Sequence, residues 1–263
     1  MTFVLGYSTP KDPGLQEELG KIDTELRGIF GIDAEETAAG VLDLNGLRLA
    51  MIDADRTEYA ASVPKIGILL AYFELHPDAA THLDPEVRRA LGSMIKTSSN
   101  EMAARFSREI GLRRIQEVLN GYDLYNEARG GGLWVGKHYG GDEERYGDPL
   151  NDHSHGATVR QLLRYYLLLE QGKLVSPEAS RTMLEIFDSP EMPHDNIKFV
   201  KGLAERDVRL FRKWGTWKDW RHDTAIIQGS GRRYILAGLT RHPRGDEYLA
   251  ALAATVDAVL EER

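Results

Sequence analysis

Apolar residues recur at three- and four-residue spacing at Leu15, Leu19, Ile22, Leu26 and Phe30, behind the break Pro13-Gly14, and that stripe predicts an amphipathic helix. Two short β-prone runs follow, Thr37 to Leu44 and Leu47 to Asp53, joined by Asn45-Gly46, whose tolerance of positive φ predicts a tight hairpin turn. From Ser62 the chain turns apolar on every face through Ile66, Ile68, Leu69, Leu70, Tyr72 and Phe73, the mark of a helix buried nearly all round. Helical patterning continues to roughly Ser189. Thr158 with Gln161 makes a capping box for a helix through Leu162, Leu163, Tyr166 and Leu167 that stops at Gly172. Ser176-Pro177-Glu178 opens another, with an N-cap hydroxyl, a first-turn proline and an acid near the positive end of the dipole.

The stretch Gly130 to Gly156, rich in Gly, Asp, Tyr and His, predicts a long loop of the kind that is commonly functional in a compact domain. β-prone runs return at Val208 to Lys213, Thr224 to Gln228 and Tyr234 to Thr240, with Gly229-Ser230-Gly231 as a turn between the last two. Asp246 then caps an amphipathic helix carrying Leu249, Leu252, Val256, Val259 and Leu260. The order helix, two strands, helical block, three strands, helix predicts an α/β (α+β) fold. Residues 1–60 and 197–263 would form a five-stranded antiparallel sheet flanked by the terminal helices, and residues 61–196 an inserted all-helical subdomain. The functional site is expected in the seam between them.

Composition narrows the chemistry. The chain of 263 residues is long enough for a substantial core, and its 42% hydrophobic and 28% charged content is that of a globular protein, not a disordered one. A net charge of -8 disfavours general binding to a phosphate backbone, which needs clustered cations, so no nucleic-acid partner is expected. The absence of cysteine removes disulfides, thiolate-metal sites and cysteine nucleophiles. No run approaches the roughly 20 apolar residues of a membrane span, and Met1 to Gly6 lacks the basic and apolar regions of a secretory signal. The expectation is a soluble monomer, cytoplasmic as written, or periplasmic or secreted if a signal peptide has been removed.

The residues that suggest catalysis are Ser62 and Lys65. A serine hydroxyl is a poor nucleophile until a base takes its proton, and lysine can be that base where burial or nearby positive charge holds it neutral. Spacing of three on a helix puts both side chains on one face, and a serine at the helix N-terminus lies where N–H groups favour developing negative charge. The pattern alone is loose: Ser8-Thr9-Pro10-Lys11 and Ser93-Met94-Ile95-Lys96 match it too. Ser8 precedes a Pro-Gly break and Ser93 lies inside a helix, its hydroxyl available to the i−4 carbonyl, so context selects Ser62.

Two further motifs lie at element boundaries facing the seam. Ser98-Ser99-Asn100 is a polar turn between apolar helical segments, and Lys213-Trp214-Gly215-Thr216 ends a strand. The Ser98 hydroxyl could relay a proton to a leaving nitrogen, the Asn100 amide could hold a substrate amide, and Lys213 could tune Ser98 and attract an anion. A capped turn and an edge-strand cation are the plainer readings of each, but three such motifs in order point together to acyl transfer.

In this order Ser-x-x-Lys, Ser-x-Asn and Lys-x-Gly resemble the penicillin-recognising serine hydrolases, class A β-lactamases above all, over nearly the whole chain. Thr37 to Asp53 is similar to their first hairpin, Pro149-Leu150-Asn151 to the end of their omega-loop motif, and Arg221-His222-Asp223 to the strand bringing their substrate-carboxylate arginine. The resemblance implies an oxyanion hole from the backbone N–H groups of Ser62 and Thr216, and substrate contacts from Asn151, Trp214, Gly215, Thr216 and Arg221. It implies no cofactor, and a small-molecule or peptide-like acyl substrate.

Two departures bear on function. Gly147 stands where the family has its deacylating glutamate, with Asp148 adjacent as the one possible substitute in a shifted loop. Trp214 stands where the family has a small hydroxyl residue, so a bulky pocket wall is expected. His153 and His155 flank Ser154, but two-residue spacing without an acidic third ligand is read as loop histidines, and no metal is predicted. Trp214, Trp217 and Trp220 among Lys213, Lys218 and Arg221 are read as a pocket rim, open to a carbohydrate-facing variant, and not as a base-stacking surface. Three functions remain: a serine hydrolase acting on a β-lactam, amide or ester through acyl-Ser62; an acyl-accepting sensor that deacylates poorly; and a DD-peptidase or esterase.

Overall fold

The computed structural model describes residues 3–140 and 144–261. In chain order it contains α1 (Pro13–Phe30), β1 (Thr37–Asp43), β2 (Arg48–Ile52), β3 (Glu58–Tyr59), α2 (Lys65–Leu75), α3 (Pro85–Ile95), α4 (Asn100–Ile110) and α5 (Leu112–Gly121). Short strands β4 (Tyr125–Asn126), β5 (Gly131–Gly132), β6 (Trp134–Val135) and β7 (His155–Ala157) follow, then α6 (Val159–Glu170), α7 (Pro177–Asp188) and α8 (Lys198–Gly202). The chain ends in β8 (Val208–Trp217), β9 (Trp220–Gly229), β10 (Arg232–Arg241) and α9 (Gly245–Glu261).

The five long strands form the expected antiparallel sheet in the order β2-β1-β10-β9-β8. Alternation along each strand divides the core in two. Ala38, Leu42, Met51, Phe211, Ile226 and Ile235 join the cluster of the helical block. Ala39, Val41, Ala50, Leu210, Ile227 and Leu236 pack against α1 and α9 through Leu15, Leu19, Leu249 and Leu252. Gly40 lets α6 approach the sheet closely, since a Cβ there would lie 2.5 Å from Val159 Cγ1 and 2.9 Å from Leu163 Cδ1. Lys65 to Phe73 of α2 are all buried, as the all-round apolar pattern requires.

Two local expectations need correction. The β1–β2 hairpin does not turn tightly at Asn45-Gly46: four residues connect the strands, and the positive φ falls on Leu47, at 51°. The cause is Asp43, whose carboxylate accepts from Asn45 N–H and pairs with Arg48, forming a side-chain-closed turn that a two-residue loop could not hold. The stretch Gly130 to Gly156 is not a bare loop either. It contributes β5, β6 and β7, with β7 between β3 and β6 in a small sheet, and residues 141–143 lie outside the described part. Among the described residues no helix is long and apolar enough to cross a membrane.

Candidate active site

The chain leaves β3 at Tyr59, whose carbonyl accepts from His222 Nε2 of β9 at 2.8 Å, so the small sheet is pinned to the large one. Ala61 then takes a left-handed φ of 48°, with its carbonyl accepting from the Tyr139 hydroxyl at 3.1 Å. Ser62 follows in a tight turn. Lys65 N–H bonds to Ser62 O and Ile66 N–H to Val63 O, an i to i+3 pattern, and α2 proper opens only at Lys65. Pro64, at φ −65° and ψ −2°, is the N-cap residue, so the helix begins three residues later than Ser62 and Ser62 lies in the turn leading into it. Ser62 Oγ has no hydrogen-bond partner among the described residues and lines a cleft of 640 Å³.

Lys65 is wholly buried. Its amine donates to Ser98 O at 2.6 Å, Asn100 Oδ1 at 2.8 Å and Ser98 Oγ at 3.3 Å, and it lies 4.6 Å from the centre of the Tyr139 ring. Among the described residues no carboxylate pairs with it. Desolvation therefore acts alone and brings its pKa down from 10.5 to about 7.

Ser98 presents both its carbonyl and its hydroxyl to the Lys65 amine from a left-handed φ of 61°, just ahead of α4, whose N-cap is Ser99. The Ser98 hydroxyl also accepts from Lys213 Nζ at 2.8 Å, and so joins two lysines. Burial pushes Lys213 well below the ordinary lysine range, and the charge of Lys65 reinforces the effect. Because Asn100 Oδ1 is held by Lys65, the Asn100 amide nitrogen is the end left for another partner at the cleft.

Strand β8 reaches this turn through Gly215. A Cβ there would lie 2.7 Å from Ala60 O and 3.0 Å from Ser62 N, so only glycine permits the approach. Thr216, next along, lines the cleft with Ser62. Trp214 is not one of the lining residues; its ring lies against two lysine amines, 5.1 Å from Lys213 Nζ and 5.0 Å from Lys198 Nζ. The expected bulky wall comes instead from Tyr59, Trp217 and Trp220.

Three anticipated residues stand elsewhere. Asp148 is buried, but its carboxylate accepts from the backbone N–H groups of Leu150, Asn151 and His153, which stitches the loop to itself. Asn151 is exposed and Arg221 donates to Lys218 O beside Asp246; neither lines the cleft. Gly147 is closed to any side chain, since a Cβ there would collide with the Asp152 carboxylate and sit 2.9 Å from its Cα. His155 is a buried neutral ring, held near 3 by desolvation, with Ser154 Oγ on Nδ1 and Lys137 O on Nε2.

Lys198 is the residue that motif reading passes over. Wholly buried, at a φ of 53°, it donates to Gly215 O at 2.8 Å and Thr216 Oγ1 at 2.6 Å. Desolvation lowers its pKa to about 8. Its segment is held by the buried pair Arg212–Asp223, through Arg212 to Ile197 O and Phe199 N–H to Asp223.

Comparison with known proteins agrees with this architecture. The β-lactamase of Sphaerobacter thermophilus is 14% identical with a TM-score of 0.75, covering 94% of this chain and 98% of its own. PBP-A, in a mutant form solved as an acyl-enzyme complex with penicillin G, is 17% identical with a TM-score of 0.75 over 97% of this chain and 100% of its own. A variant of the reconstructed last common ancestor of class A β-lactamases of Gram-negative bacteria is 18% identical with a TM-score of 0.73, covering 93% and 98%. At such identities these likenesses speak to the fold. No curated protein matches in sequence. The profile of the Beta-lactamase enzyme family matches residues 75–261, beginning after Ser62 and Lys65, and on that match the chain belongs to the Beta-lactamase enzyme family, as a divergent member of the β-lactamase-like superfamily.

Proposed function

We propose that the protein forms an acyl-enzyme on Ser62 from a β-lactam, amide or ester and releases the acyl group slowly. The observation that carries the reading is the lysine pair around Ser98: a buried amine near neutral pKa one turn from an unengaged serine hydroxyl. Lys65 Nζ takes the proton as Ser62 Oγ bonds to the acyl carbon and the carbonyl electron pair moves to oxygen. The N–H groups of Ser62 and Thr216 would hold that oxyanion; the close approach of Gly215 to Ser62 N supports their pairing. As the intermediate collapses, the Ser98 hydroxyl gives its proton to the leaving nitrogen and is reprotonated through Lys65 or Lys213.

Mass spectrometry after mixing with activated β-lactams and esters tests this. A single adduct on Ser62, lost in Ser62→Ala, is the expected result; an unmodified protein across several acylating probes overturns the reading. An acyl-accepting sensor is favoured as a second reading by Asp148, whose carboxylate is taken up by three loop amides and so supplies no base for water. Sustained turnover of a chromogenic β-lactam would exclude it, and an adduct persisting for hours would select it over the hydrolase and over a DD-peptidase or esterase.

A further inference from the structure

The cleft has two unlike walls. On one side Asn100 lines it, with Lys65 bonded behind to its Oδ1 and Ser98 joining Lys65 to Lys213, and in the proposed reaction this is where a leaving nitrogen takes its proton. An acyl carbon bonded to Ser62 Oγ, with its oxygen toward Thr216, therefore directs its remaining substituent to the opposite side. That side is aromatic. Tyr59 stands edge-on to Trp217 at 5.3 Å between ring centres and to Trp220 at 5.9 Å, and His153 stands edge-on to Tyr59 at 6.2 Å and to Trp220 at 6.4 Å. All four line the cleft.

Core packing does not account for this group. Trp217 ends β8, next to Thr216, and 48% of its surface is open to solvent. Trp220 faces it across the hairpin, in register. Such rings offer faces and edges that favour offset or edge-on contact with another ring. Saccharides also stack on open indoles, but their hydroxyls need carboxylates and amides beside the rings. The charged groups on these rings are cations instead, Lys218 4.4 Å from the Trp217 centre and Arg241 5.5 Å from that of Trp220, and the nearby Asp152 is paired with Arg145.

We propose that Tyr59, Trp217 and Trp220 form an acyl-side subsite that selects substrates whose acyl group carries an aryl or heteroaryl ring. The proposal rests on acylation at Ser62, and the test separates the two. Two β-lactams with one nucleus, differing only in a phenylacetamido or an acetamido side chain, are compared by the second-order rate constant of adduct formation. A ring in contact with two aromatic partners is expected to favour the phenylacetamido compound by about tenfold or more. Trp217→Ala should reduce that ratio to within about twofold, and Trp217→Phe should restore most of it; the exposure of Trp217 makes both variants compatible with an unchanged melting temperature. Equal rates in the native protein, or a ratio untouched by Trp217→Ala, overturn the subsite while leaving Ser62 in place. Absence of any adduct overturns the Ser62 reading instead, and the subsite then stands or falls on calorimetry of Ser62→Ala with N-phenylacetylglycine and N-acetylglycine. Binding confined to the phenyl compound and lost on Trp217→Ala supports it, and absent or equal binding refutes it. A saccharide-bearing acyl donor reacting faster than the phenylacetamido compound likewise refutes it.

Discussion

Burial of Lys65 sets a pH dependence that can be worked out in advance. An ordinary lysine of pKa 10.5 has about one amine in three thousand unprotonated at pH 7, whereas one lowered to about 7 has about half. The interval corresponds to about 5 kcal/mol, a scale that desolvation of a wholly buried amine without a carboxylate partner can supply. If Lys65 is the base that receives the Ser62 proton, the acylation rate constant rises tenfold per pH unit below about 7 and levels off above it. Quenched-flow mass spectrometry of the Ser62 adduct from pH 5 to 9 measures the curve. The same shift appears in stability with a definite sign. Between about 7 and 10.5 the unfolded chain holds a proton that folded Lys65 has lost, so the fold gains stability with rising pH. From pH 7 to pH 9 the Lys65 share of that gain is about 2 kcal/mol, and urea unfolding should show the native protein gaining that much more than Lys65→Met. An acylation profile without an inflection between pH 6 and 8, or adduct formation at the native rate in Lys65→Met, would refute the assignment of Lys65 as the base.

Gly215→Ala should slow acylation by about a hundredfold or more, because the new methyl meets Ala60 O and Ser62 N and displaces the turn; adduct rates on folded, thermally characterised protein check this. Asp148→Ala leaves three loop N–H groups without their acceptor and should cost about 2–4 kcal/mol in urea unfolding, with the rate of adduct hydrolysis unchanged. Accelerated loss of the adduct, or arrested turnover, would instead bring Asp148 into the chemistry. Gly147→Glu should lower the melting temperature without speeding adduct release, since Asp152 fills the place the side chain would enter. Lys198→Met should raise the substrate concentration needed for half-maximal acylation and remove any pH effect near 8, because it frees Thr216 Oγ1 and Gly215 O; a profile identical to the native one counts against a positioning role.

The parts of this arrangement legible in the sequence are those governed by near neighbours in the chain. The all-apolar run after Ser62 predicts a buried helix because no polar stripe remains to face water, and alternation in β8 to β10 predicts strands whose two faces enter two cores. Ser98 and Lys213 are legible as ordered motifs, but only Ser98 lies at an element boundary, in the turn before α4; β8 runs on past Lys213 to Trp217, and the two meet through Lys213 Nζ on Ser98 Oγ. What escapes is governed by pairing at a distance. The two-residue strands β5 and β6 exist through partners at β4 and β7, and propensity cannot announce so short a segment. Asp148 stands beside the motif position, yet its buried carboxylate faces N–H groups of its own loop, a matter of loop geometry that spacing does not encode. Lys198 carries no signature at all, in a five-residue helix whose first residue becomes significant only because Arg212 and Asp223, buried together, draw it under β8. That placement joins the second core of the molecule to the cleft, through Phe199 on one side and Lys198 on the other. The pair that holds α8 to the sheet also sets the amine that orients Thr216, so a weakened Arg212–Asp223 pair should be felt first at the cleft, in the position of the Thr216 N–H relative to Ser62.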